Sequence, residues 1–267
     1  LAKRRRLSAL VVKSETIRLG KRDIEYRWVR GEGHETPVVV MLHEGLGSVS
    51  TWRDFPEAVS EVTCGDVLVY SRYGYGRSSV RKEAFSVDYM HRAALEELPL
   101  LLDALKVESP VLFGHSDGAS IALIYAGSYP EKARGLIVEA PHVFTEQVSV
   151  GSIAAIQKVY ETSDGLRHRL GRHHADPDAS FYGWNEAWQR PDFIDWNIEE
   201  YLPQITCPML VVQGEGDEYG TLDQVDRIES GSGGRVGRLI LGECGHAPHR
   251  DQKELVLAAT KKFVRAL

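Results

Sequence analysis

Ser116 stands in the segment Gly114-His115-Ser116-Asp117-Gly118, between the apolar run 110–113 and the small-residue stretch 119–126. A short apolar run reads as a buried strand and the small-residue stretch as a helix, so the serine is predicted on a sharp strand-to-helix turn. Glycines two residues before and two after it remove the β-carbons that such a turn would force into its neighbours. The hydroxyl is then presented at a helix N-terminus, whose free N–H groups and dipole suit a developing oxyanion. A serine hydroxyl is a poor nucleophile at neutral pH and needs a base, which in turn needs a carboxylate to hold it. The candidate base is His246, in Glu243-Cys244-Gly245-His246-Ala247-Pro248-His249, with His249 as its rival. The candidate acid is Asp217, in the glycine-rich segment Gln213-Gly214-Glu215-Gly216-Asp217-Glu218, with Glu215, Glu218 and Glu139 as alternatives. The first oxyanion donor is the N–H of Asp117. A second is sought in the turn His43-Glu44-Gly45-Leu46-Gly47-Ser48.

The elements that would hold these groups follow from the apolar pattern. Runs at 38–42, 67–70, 110–113, 135–138, 209–212 and 238–241 read as buried parallel strands, and the stretches near 14–19 and 25–30 as edge strands. Helical spacing recurs at 89–105, 118–126 and 255–264. This alternation predicts an α/β fold, a mostly parallel central sheet covered by helices on both faces, with ligands bound at the carboxyl ends of the strands. Residues 142–202 break the pattern with helical segments at 150–161, 165–173 and 179–188 and many aromatic side chains. They are expected to form a helical lid inserted in a core made of residues 1–141 and 203–267, with Trp184 and Trp188 facing an apolar substrate pocket.

Composition narrows the partners. The net charge of −6 gives no reason to expect nucleic acid, and the run Lys3-Arg4-Arg5-Arg6 reads as a solvated chain end. No segment is apolar for long enough to span a bilayer, and the three cysteines lack metal-ligand spacing, which together suggest a cytoplasmic protein, while the aromatic lid suggests a small-molecule substrate with an apolar part. No cofactor or metal is called for, and the adjacent His173 and His174 read as a solvated pair. The sequence leaves the oligomeric state open.

The order Ser116, Asp217, His246, the elbow, and the turn after the strand at 38–42 together resemble the α/β-hydrolase fold superfamily, in its lid-bearing branch of small esterases, carbon–carbon bond hydrolases and acyltransferases. The resemblance covers roughly residues 20–267. It implies that the N–H of Gly45 or Leu46 completes the oxyanion hole, and that Ser71-Arg72-Tyr73-Gly74-Tyr75-Gly76-Arg77-Ser78 is the family's structural glycine turn. Two positions depart from it: Glu44 stands where the family usually has glycine, and Ser71 replaces the aspartate that commonly opens the glycine turn, at the expected cost of a structural hydrogen bond. A serine nucleophile argues against the relatives that attack through a carboxylate. The expected activity is hydrolysis of a small carboxylic ester through an acyl-enzyme, with carbon–carbon bond hydrolysis, acyl transfer, or ligand reception on the same scaffold as alternatives. Arg72, Arg77 and Arg190 are the candidate cations for a substrate carboxylate.

Overall fold

The computed structural model describes residues 14–33 and 36–267, so the basic run Lys3 to Arg6 lies outside the described residues. Strands β1 (Glu15–Leu19), β2 (Arg22–Val29), β3 (Val39–Leu42), β4 (Val67–Tyr70), β5 (Val111–His115), β6 (Gly135–Glu139), β7 (Met209–Gly214) and β8 (Val236–Leu241) form one sheet, in the order β1-β2-β4-β3-β5-β6-β7-β8. The first three members pair antiparallel, and all later neighbours are parallel. The stretch near 25–30 is therefore not an edge: β1 covers it on one side and β4 on the other. Its polar alternation comes from incomplete burial of its faces, not from a free backbone.

The central strands are apolar on both faces because both faces are covered. Val40, Leu42, Leu112, Leu136 and Val138 join one core cluster, while Val39, Met41, Val111, Phe113 and Ile137 join the other. Each such side chain contributes about 1.5–3 kcal/mol of burial free energy. The helices are α1 (Phe55–Thr63), α2 (Tyr89–Arg92), α3 (Leu98–Leu105), α4 (Asp117–Ser128), α5 (Gln147–Thr162), α6 (Asp164–Gly171), α7 (Pro177–Trp188), α8 (Leu222–Gly231), α9 (Pro248–Asp251) and α10 (Lys253–Val264). A π-helical stretch, Ala93–Glu97, joins α2 to α3, so the helix expected over 89–105 runs on with one widened turn. Helix α4, which opens at the elbow, is buried along all but its last residue, which explains its small apolar composition and lack of a polar face.

Helices α5, α6 and α7 lie in sequence between β6 and β7. The Asp176 side chain accepts the N–H of Ala179 at 2.9 Å, and Pro177 occupies the first turn, which together start α7. Tyr160 and Arg167 both bond the carboxylate of Asp178, at 2.6 and 2.8 Å, so the three helices are tied to one another by a shared acid.

Candidate active site

Ser116 ends β5 and starts α4 with φ 54° and ψ −119°, a conformation that a non-glycine residue holds only where its surroundings enforce it. The flanking glycines are those surroundings. A β-carbon on Gly114 would stand 2.3 Å from the carbonyl oxygen of Gly118, and one on Gly118 would stand 2.1 Å from that of Leu42. The serine Oγ lies 2.9 Å from Nε2 of His246, whose Nδ1 lies 2.8 and 2.9 Å from the two carboxylate oxygens of Asp217. An ionised carboxylate only accepts, so Nδ1 carries the proton and Nε2 is left to accept the serine hydroxyl. Asp217 comes from the loop after β7 and His246 from the loop after β8, both at carboxyl ends of strands.

Two further groups fix the Asp217 carboxylate: the N–H of Tyr219 donates to it at 2.8 Å, and the Gln213 amide donates at 2.7 Å. Burial alone would raise the pKa of this group, but the hydrogen bond and charge of His246 and the Tyr219 N–H bring it down to about 2. Sequence reasoning missed the role of Gln213, although a polar residue directly after the apolar run Met209-Leu210-Val211-Val212 was a visible signal.

Around the hydroxyl, Glu44, Gly45, Leu46, Asp117, His142, Ile153, Ile156, Trp184, Trp188 and Tyr219 line a cavity of about 110 Å³ with Ser116 and His246. The N–H groups of Gly45, Leu46 and Asp117 have no acceptor among the described residues. Gly45 cannot carry a side chain, since its β-carbon would stand 2.1 Å from Nε1 of Trp184. The indole of Trp188 donates to the hydroxyl of Tyr89 at 2.9 Å, which donates to the Asp117 carboxylate at 2.6 Å. His142 sits 5.8 Å, ring to ring, from His246. Burial and the neighbouring imidazole push it down to about 3, so it faces the site uncharged.

The other candidates fall elsewhere. Glu139 ends β6 but bonds His249 at 2.6 Å, and Glu215 and Glu218 are exposed. His174 is not solvated: it is 2 % exposed, accepts the Gly76 N–H at 3.0 Å and meets the Leu46 carbonyl at 2.9 Å. It lies between α6 and α7 and bonds the turn after β3, a burial that no local pattern announces. Arg72 is buried beneath the site, 3.7 Å from Asp117, while Arg77 is exposed and Arg190 pairs with Asp192 at the surface. Ser71 costs no structural bond. Its hydroxyl accepts the Val49 N–H at 2.9 Å and donates to Glu25 at 2.7 Å, so a carboxylate from β2 serves the glycine turn.

Among the described residues, His115, Glu139 and His249 bring potential metal-ligand atoms within 4.8 Å of one another. The Glu139–His249 distance of 2.6 Å is that of a hydrogen bond. Two ligands at about 2.0–2.1 Å from one zinc ion stand about 3 Å apart or more, so the trio fits a hydrogen-bonded cluster.

Residues 39–259 match the model of the alpha/beta hydrolase family. The chain belongs to that family. It is 28% identical over 201 residues to a serine hydrolase, BPHL, of Homo sapiens, a match that takes in 70% of this chain and 65% of that protein. It is 26% identical over 261 residues to a proline iminopeptidase of Lactobacillus delbrueckii subsp. bulgaricus, covering 84% of this chain and 88% of the other. An alpha/beta hydrolase enzyme from a Medee basin deep-sea metagenome library shares the fold, with a TM-score of 0.76, 19% identity, and coverage of 93% of this chain and 96% of that one. Among the described residues of this hydrolase, no helix is long and apolar enough to cross a membrane.

Proposed function

We propose that this hydrolase cleaves small carboxylic esters through an acyl-enzyme on Ser116. The observation that carries the reading is the hydrogen-bonded chain Ser116–His246–Asp217, opening on a cavity with largely apolar walls. Ser116 attacks the carbonyl while His246 takes its proton, and His246 returns that proton to the leaving alcohol. Asp217 keeps the imidazole in the tautomer with Nδ1 protonated. The N–H groups of Asp117 and of Gly45 or Leu46 stabilise the tetrahedral oxyanion. Water then repeats the sequence on the acyl-enzyme.

The cavity supports a short acyl group, because about 110 Å³ is below the roughly 300–1,000 Å³ of sites for drug-sized ligands. A neutral acyl group is favoured because both acids that reach the cavity are engaged, Asp117 by Tyr89 and Arg72 and Glu44 by Arg250. Helices α5 to α7 act as a lid in this reading, with Trp184 and Trp188 against the acyl part.

A second reading is release of an N-terminal proline, which the likeness to the Lactobacillus enzyme motivates. Chromogenic acetate, butyrate and octanoate esters, assayed beside a prolyl arylamide, separate the two. Butyrate or acetate turnover well above octanoate supports the short-ester reading. Arylamide turnover exceeding that of every ester overturns it.

A further inference from the structure

Glu44 departs from the glycine common at its place in the family, and the structure gives the departure a geometry. Its carboxylate lies beside Gly47, where a β-carbon would stand 2.3 Å from Oε2. From there it meets two basic side chains that belong to the other two parts of the site. Nδ1 of His115, the residue before the nucleophile, is 3.7 Å from Oε2, and Nη2 of Arg250, four residues after His246, is 3.3 Å from Oε1. The far side of His115 completes the link: its Nε2 lies 2.7 Å from the backbone carbonyl of His246 and so donates to it. Arg250 also donates to the carbonyl of Thr51, beyond the oxyanion turn, at 3.4 Å.

Resting on the serine-hydrolase reading above, we propose that Glu44 is a positioning residue, which acts through His115 and Arg250 to hold the oxyanion turn, the elbow and the His246 loop in one register. None of the three touches the reacting atoms. The oxyanion donors ride on the turn that Glu44 begins, while the base rides on the loop whose backbone His115 grips. A shift between them misaligns the general base and the oxyanion hole at once, and a displacement of about 1 Å between such groups costs up to about a hundredfold.

The network has a protonation state that it needs. Burial disfavours charge on His115, but the carboxylate of Glu44, the charge of Glu139 and the His246 carbonyl together raise it above the ordinary imidazole range. Glu44 is likewise held well below the usual carboxylate range: burial opposes this, and His115, Arg250 and His43 outweigh burial. The groups that face His115 are Glu44 from the oxyanion turn, Glu139 from β6, and His246 and His249 from the loop and helix after β8. With His115 charged, both ring nitrogens carry protons, so it can serve Glu44 and the His246 carbonyl together. The clamp is thus complete below the raised value for His115 and loosens as pH rises through it.

The test compares wild type with Glu44→Gln, Glu44→Asp, His115→Gln and the double variant Glu44→Gln/His115→Gln. Two rates are read across pH on each: kcat and KM for a short ester, and inactivation by a p-nitrophenyl alkylphosphonate, which needs the nucleophile, base and oxyanion hole but no natural substrate. Active-site titration counts the folded enzyme. For Glu44→Gln the expected result is a fall of about tenfold in kcat and in inactivation rate, with KM within about twofold. The alkaline loss of rate moves down by about one pH unit, because His115 has lost a carboxylate that raised it. Glu44→Asp restores part of the rate, and the double variant is no slower than the slower single variant. A Glu44→Gln enzyme with unchanged rates per titrated site and an unchanged alkaline limb overturns the proposal, as do losses that multiply in the double variant. Should Glu44→Gln not fold, His115→Gln and Arg250→Met carry the same readings. An enzyme that is phosphonylated on Ser116 but turns over no ester overturns the ester reading alone, and the inactivation rates still decide the proposal. A protein that is not phosphonylated overturns both.

Discussion

The site holds two carboxylate–imidazole pairs, built on adjacent strands and on histidines three residues apart, and only one of them meets a serine hydroxyl. Asp217 follows β7 and bonds His246 at 2.8 Å, and Glu139 ends β6 and bonds His249 at 2.6 Å. The difference lies in what the second ring nitrogen can reach. The side chain of His246 is 15% exposed, beside the cavity, and its Nε2 lies 2.9 Å from Ser116. His249 is boxed in by Trp52 and Phe55, with ring centroids at 4.9 and 5.3 Å, and that of His115 at 5.0 Å. An acid–histidine pair therefore becomes a candidate base by its access to solvent, substrate and hydroxyl. The pair chemistry alone decides nothing.

Breaking the reactive pair at its end gives the largest expected effect. Ser116→Ala should lower ester turnover on the order of a millionfold while leaving the fold intact. Turnover above about a hundredth of wild type, measured on the same chromogenic ester, would mean that another residue attacks. Next in size is the acid. Asp217→Asn should lower kcat about ten-thousandfold by presenting the wrong partner to Nδ1, whereas Glu139→Gln should change it by less than about tenfold. The reverse ranking would exchange the roles of the two pairs.

That assignment was only partly legible in the sequence. The elbow could be read because its requirement is local, two glycines around one serine. The order of Ser116, Asp217 and His246 pointed at the carboxylate that bonds His246, but whether Glu139 or Asp217 faced that imidazole depended on which strand lay beside which loop. His115, His249 and Glu139 meet only when β5, β6 and the loop after β8 are brought together, and no spacing along the chain encodes that. The parallel core was legible because strands buried on both faces become continuously apolar. The antiparallel end was less so, and β2 was read as an edge because its half-covered faces resemble a free strand.

The pairs should also separate by stability. Glu139→Gln removes the carboxylate that bonds the buried His249 and should cost about 1–3 kcal/mol in urea unfolding, although it spares turnover. An unfolding midpoint equal to that of wild type would show that the pair is structurally idle. The Asp217 carboxylate has a depressed folded value, so its stabilising contribution is complete above the ordinary carboxylate range and is lost as pH falls toward about 2. Asp217→Asn should flatten that acid loss in a pH series of urea midpoints, and an unaltered slope would place the titration elsewhere. The smallest expected effect concerns the cavity wall: Ile153→Ala should shift the preference toward longer acyl chains by roughly tenfold, within the range that one or two methylenes confer.

Ser116, Asp217 and His246 all come from the sheet's loops, whereas Ile153, Ile156, Trp184 and Trp188, which wall the cavity, come from α5 and α7. The proposed reacting groups and most of the apolar wall before them thus occupy separate stretches of chain, the wall being continuous between β6 and β7 apart from Leu46 and Tyr219. A protein arranged in this way can be retargeted by transplanting one uninterrupted segment, since the graft leaves the register of the reacting atoms to the sheet. The graft has two constraints. Gly45 must go on meeting a flat ring like that of Trp184, and the tyrosine that takes the Trp188 indole must stay within its reach.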